Sequence, residues 1–255
     1  MNAPDRPKLF FKYKSTASDE LLQRVLDILS DNKLFFPNRK QLNDPFENLA
    51  IPLHISGYAG SGMFLAADQE LPFLEDVRNQ YKLLSLSSTC FSPLMWAHYA
   101  DEGKGLCLCF CSERSFRDAK AINYINSAET KDDYEITKDS EIEKRIQESF
   151  FLKHADWECE KEWRIVSKTD KTFFEYNSDE LVAIIYGPNI EKSKKALVKK
   201  SLPLAVKQYR IHLGGQSGAI KLLHDDYEIC YDMREPPFIG SIEDLLSDLY
   251  SYQAV

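Results

Sequence analysis

The chain has 255 residues, 44% hydrophobic and 28% charged, with a formal net charge of −8 at pH 7. That length and balance allow a sizeable buried core and exclude a chain disordered throughout. The acidic excess argues against a broad electrostatic grip on nucleic acid or anionic lipid, while leaving room for a local basic pocket.

The opening residues, Met1 to Pro7, lack the apolar stretch of a secretory signal, and no run is long enough to cross a bilayer. Six cysteines are too sparse for a disulfide scaffold. Cytoplasmic residence is the expectation.

In chain order, Leu9 to Lys14 reads as an opening strand. Ser18 caps an amphipathic helix with Asp19 and Glu20 in its first turn and Leu21, Leu22, Val25, Leu26 and Leu29 on one stripe. Leu34-Phe35-Phe36 is a short strand, and Asn43-Asp44-Pro45 is turn chemistry. Residues 55–69 suggest an exposed loop. Leu84 to Ser88 reads as a strand, and Pro93 opens a short helix carrying Trp96, His98 and Tyr99. Leu106 to Cys111 is apolar on both faces, as a strand inside a covered sheet would be.

From Ser140 to about His154 the pattern predicts a helix. Glu160 to Val166 and Leu181 to Tyr186 predict strands, Ile190 to Lys200 a helix, and Ala205 to Leu213 and Ala219 to Cys230 two more strands. Ser241-Ile242-Glu243-Asp244 has the form of a capping box opening a last helix. The sum is an α+β fold: residues 1–255 as a single domain with a mixed, largely antiparallel sheet flanked by helices.

Three segments carry candidate chemistry. In Trp157 to Arg164, a strand would put Glu158, Glu160, Glu162 and Arg164 on one face and Trp157, Cys159 and Trp163 on the other. Carboxylates in a row repel, so at least one pKa should rise unless Arg164 or a ligand compensates. Such a face suits acid–base work by Glu160 or Glu162. It is equally the pattern of a solvated charged face anchored by core tryptophans. In Met95 to Tyr99, His98 would be a base or a ligand-bonding group, with Trp96 and Tyr99 as pocket walls. A satisfied structural histidine has the same signature. Asn43, Asp44 and Glu47 place an amide and two acids about a rigid turn, which would also serve as a plain cap.

Cys107, Cys109 and Cys111 alternate along a strand, too far apart to share one metal, and no second cluster has zinc spacing. No metal site is therefore expected. Phosphate-loop, dinucleotide-fold and nucleophile-elbow motifs are absent from the sequence.

Together these blocks resemble the bacterial family called domain of unknown function 2971. The resemblance is carried by Lys12-Tyr13-Lys14, Asn43 to Glu47, Ser85-Leu86-Ser87, Met95 to Tyr99, Lys104 to Cys107, Trp157 to Arg164 and Ile184 to Gly187. It spans residues 9 to about 190 and leaves 191–255 as C-terminal strands and a helix. It implies no activity. A weaker resemblance, in the order of elements only, is to the ADP-ribosyltransferase superfamily. That resemblance implies NAD as co-substrate and Glu162 or Glu160 stabilising a developing cation, with Lys14, the Ser18–Ser30 helix, Leu34-Phe35-Phe36, Ser87 and Tyr99 laid on the same plan; Tyr13 and Arg164 are further candidates for binding the substrate. Lys14 departs from the arginine or histidine usual there, and Met-Trp-x-His-Tyr has no standard role.

Two alternatives stand beside it. A metal-dependent phosphoesterase or nuclease would use Asp44, Glu47, Glu160 and Glu162. A non-enzymatic sensor or interaction module would use the aromatic and acidic residues to bind a partner. A small molecule or nucleotide is the expected partner, with neither a membrane nor a broad nucleic-acid surface, and no protein partner is specified.

Overall fold

The computed structural model describes residues 4–44, 72–126, 139–214, 219–226 and 238–250. The predicted loop at 55–69 and the residues Pro45, Phe46 and Glu47 lie outside them. In chain order the strands and α-helices are β1 (Leu9–Lys14), α1 (Asp19–Asp31), β2 (Lys33–Phe35), α2 (Pro72–Asn79), β3 (Tyr81–Ser87) and α3 (Pro93–Tyr99). There follow β4 (Leu106–Cys111), β5 (Lys120–Ala121), β6 (Asn123–Ile125), α4 (Asp139–Ser149), β7 (Leu152–His154) and β8 (Glu162–Lys168). The remainder are β9 (Phe173–Glu175), β10 (Leu181–Tyr186), α5 (Lys192–Lys200), β11 (Lys207–Gly214), β12 (Ala219–His224) and α6 (Ile242–Tyr250). The class is α+β, with mostly antiparallel strands and flanking helices.

The chain forms two compact units. One comprises residues 5–34, 86–117 and 175–255. Its strands run β12-β11-β10-β4-β1, antiparallel except for the β10–β11 pair. β4 lies inside this order, which is why Leu106 to Cys111 is apolar on both faces. On one face Tyr13, Cys107, Cys109 and Ile185 join Trp96 of α3 and Leu245 of α6 in a buried cluster. α1 begins at Ser18, whose side chain accepts the Leu21 N–H, and buries Leu22, Val25, Ile28 and Leu29. α6 is tied down by Asp248, which accepts from the Tyr209 hydroxyl at 2.5 Å and pairs with His224 Nε2 at 3.0 Å.

The other unit comprises residues 1–4, 35–85 and 118–174. Here β3 neighbours β8, β8 pairs antiparallel with β5, and β6 pairs parallel with β7. Tyr81, Leu83, Ile146 and Phe150 form its core cluster.

Two expectations need correction in this unit. The helix predicted to run to His154 ends at Ser149, and Leu152–His154 is strand β7. Ser149 turns its hydroxyl back onto the Ile146 carbonyl at 2.6 Å, a local bond that competes with helix continuation. The strand predicted from Glu160 begins only at Glu162, because Ala155–Glu160 is a 3₁₀ helix.

Candidate functional site

The Glu-rich motif is built by a sharp change of backbone. His154 caps the 3₁₀ helix by accepting the Asp156 N–H on its ring at 3.3 Å. Lys161 then takes a left-handed conformation, φ +46°, and the chain enters β8. Glu158 and Glu160 therefore never share a strand face with Glu162. The row of three carboxylates expected from period two does not form.

A closed ionic network forms instead, buried rather than solvated. Glu160 and Glu162 are each 4% exposed and Arg164 only 1%. Arg164 grips Glu162 with two nitrogens, Nε to Oε1 at 2.6 Å and Nη2 to Oε2 at 2.9 Å. Its third nitrogen donates to the Phe150 carbonyl at 2.8 Å. Lys153 donates to Glu160 Oε2 at 2.5 Å and to Glu162 Oε2 at 3.0 Å, and lies 4.9 Å from the Trp157 ring centre. The Tyr124 hydroxyl accepts the Glu162 N–H at 2.8 Å.

Burial alone would raise the Glu162 pKa. Arg164, Lys153 and a hydrogen bond with Ser85 outweigh it and hold the carboxyl at about 2. Burial would lower the Lys153 pKa, and the two carboxylates outweigh that too, raising it. Compensation by Arg164 was the condition attached to the expected rise, and Lys153 completes it. The ammonium of Lys153 also sits between the two carboxylates, where a divalent ion would have to be. Among the described residues no group of three or more His, Cys, Asp or Glu could hold a metal. Asn43 and Asp44 belong to the same unit, Asn43 exposed and Asp44 buried.

The other candidates lie in the second unit. Ser92 accepts the Met95 N–H at 3.4 Å and Pro93 opens α3, so Met95 and Trp96 point into the core. Trp96 Nε1 donates to the Cys90 carbonyl at 2.8 Å, and its ring meets Tyr13 edge-on at 5.1 Å. The Tyr13 hydroxyl donates to the Thr89 carbonyl at 3.0 Å. Burial pushes the Tyr13 phenol and the thiols of Cys90, Cys107 and Cys109 up, so these are neutral packing groups. Trp96→Phe should remove one buried bond and lower stability by about 1–2 kcal/mol, read from the urea midpoint.

His98 is exposed, with its ring 6.5 Å from that of Tyr99. Asp101, three residues on from His98, lies beyond the helix end at φ +50°. Lys14, half-buried at the end of β1, has a pKa lowered to about 7 by burial and by the charges of Lys12 and Arg24.

The structure thus unites Glu160, Glu162 and Arg164 in one unit, and Tyr13 and Trp96 in the other. Sequence reasoning missed Lys153 and Tyr124. The one available signal for Lys153 was a lysine closing the apolar run Phe150-Phe151-Leu152.

No curated protein and no solved structure matches the chain. Residues 95–165, from the α3 motif into β8, match the family model described as Protein of unknown function (DUF2971). Over that segment the chain is similar to the family its motifs resemble.

Proposed function

We propose that the chain is a ligand-binding module, for a small molecule or nucleotide, and that its Glu-rich motif is structural. One observation carries this reading: both oxygens of Glu162 already accept from Arg164 and Lys153 inside the protein. A catalytic carboxylate needs a lone pair facing its substrate, and a base needs a pKa near the working pH. Glu162 is buried and ionised far below neutrality, so it meets neither need.

The second reading, an ADP-ribosyltransferase, draws support from the same ionisation. Stabilising a developing cation requires a carboxylate that stays charged, and Glu162 does. It would require Arg164 or Lys153 to release an oxygen when NAD binds.

Incubating the protein with NAD separates the two. The binding-module reading expects no nicotinamide above the buffer control and no mass increment on the protein. Sustained release of nicotinamide that scales with protein would overturn it in favour of the transferase.

A further inference from the structure

We propose that α5 and α1 together form a surface on which a second copy of this chain docks, the basic row of α5 in one copy facing the acidic row of α1 in the other. Such a surface is independent of the binding-module reading and goes beyond it.

The two rows follow from the helical period. Residues four apart on a helix lie one above another, so Lys192, Ala196 and Lys200 form a line along α5. All three are exposed, while Val198 is buried and Lys194 and Lys195 are half-buried on the inner side. In α1 the same spacing lines up Asp19, Gln23, Asp27 and Asp31, again all exposed, whereas Leu22, Val25, Ile28 and Leu29 are buried. Both helices belong to one compact unit and lie against each other. Lys194 fixes their approach. Its Nζ donates to the Thr16 carbonyl at 2.6 Å and to that of Ala17 at 3.3 Å, just before the Ser18 cap of α1.

Some of the charge around these rows is offset within the copy. Glu20 holds Arg24 at 2.5 Å, Asp225 takes both Lys195 and Lys199, and Glu191 lies 4.0 Å from Lys194. Asp27 accepts from the Gln23 amide at 2.8 Å and Asp31 from the Ser30 hydroxyl at 2.7 Å, neutral donors that leave both charges in place. Asp27 and Asp31 therefore repel each other across one turn. Lys192 and Lys200 carry the opposite sign at a matching pitch. They are eight residues apart, as are Asp19 and Asp27, which is about 12 Å at the rise of an α-helix.

An acidic and a basic row side by side on one unit meet the requirement of an isologous contact. A two-fold rotation sets each row of one copy on the opposite row of the other. That selects a second copy over an unrelated acidic partner, which would match the lysines and leave the aspartates facing solvent. Exposed ion pairs contribute little individually. Apolar area comes from Leu197, 49% exposed on α5, and from Leu204, fully exposed just past its end. Symmetry presents each contact twice, and the complementary charges set register and rate of encounter.

The test is charge exchange, read by sedimentation equilibrium of the full chain. Wild type should dimerise reversibly at concentrations up to about 100 μM. Lys192→Glu with Lys200→Glu should raise the dimer dissociation constant at least about tenfold, because two acidic rows then meet. Asp27→Lys with Asp31→Lys should do the same by opposing two basic rows. All four sites are exposed, so both variants should keep the circular dichroism of wild type. An equimolar mixture of the two variants should recover wild-type association, since each altered row then meets its opposite. A wild type that stays monomeric throughout that range overturns the proposal. A dimer that either variant leaves unchanged places the contact elsewhere and overturns it too, as does loss of association without recovery in the mixture. None of these outcomes bears on the nicotinamide result, and so on the binding-module reading.

Discussion

Glu162→Gln should cost about 3–5 kcal/mol of stability, the range for removing one member of a buried ion pair while its partners stay. The substitution preserves shape and changes two things. It replaces one oxygen by an NH₂ that cannot accept from Arg164 or Lys153. It also takes the charge of Glu162 away from two almost unexposed cations, Arg164 and Lys153, of which Lys153 keeps Glu160 at 2.5 Å. The measurement is the urea midpoint of wild type and variant at neutral pH.

The pH dependence gives an independent reading of the same group. The Glu162 pKa is depressed from 4.5 to about 2, so its stabilisation is complete above pH 4.5 and is lost as pH falls toward 2. The gap between wild type and variant should therefore close across that interval. A variant as stable as wild type would mean that the carboxylate is not committed, and the transferase reading would regain its main residue.

The local parts of this fold were legible because their causes are local. Ser18 and its following acids specify the start of α1, and Ser241 that of α6, where the Asp244 N–H donates to the serine hydroxyl at 3.1 Å. The uninterrupted apolar run of β4 announced a covered strand. The 155–168 region was misread for a physical reason. Trp157, Cys159, Trp163 and Ile165 alternate with polar residues as a strand would, yet the alternation is interrupted by one left-handed residue, Lys161. Nothing in the type of that residue signals φ > 0, since lysine ordinarily avoids it. β7 was missed for a related reason: it exists by pairing with Asn123–Ile125, a contact distant in sequence.

The candidate site divides along the same line. The pairing of Glu162 with Arg164 follows from period two and could be read directly. Its neutralisation could not, because Lys153 reaches it across the 3₁₀ turn. His98 and Trp96 were both expected at one pocket, the first as base or ligand-bonding group and the second as wall, but a seven-residue helix lying on a core buries one flank and exposes the other. Trp96 became core and His98 surface. Lys14 attracted notice only through the resemblance, and what makes it unusual, a pKa lowered first by burial, is a property of the folded neighbourhood.

Gly105→Ala is the second substitution with a large expected effect, a loss of about 3 kcal/mol or more, because the clash is with backbone. A Cβ on Gly105 would stand 2.1 Å from the Lys14 carbonyl oxygen and 3.0 Å from that of Ala100. Neither can rotate away. Gly105 is held in place by its own N–H, donated to the Ala100 carbonyl at 2.7 Å, and by its carbonyl, which accepts from Gly187 at 2.9 Å. The preceding turn already carries Asp101, Glu102 and Gly103 at positive φ, so it has little conformational slack to absorb a displacement. Gly240→Ala is the control, since a Cβ there meets nothing within 4 Å, and it should change stability by no more than about 0.5 kcal/mol. A Gly105→Ala midpoint matching that of Gly240→Ala would refute the tight approach of these backbones altogether.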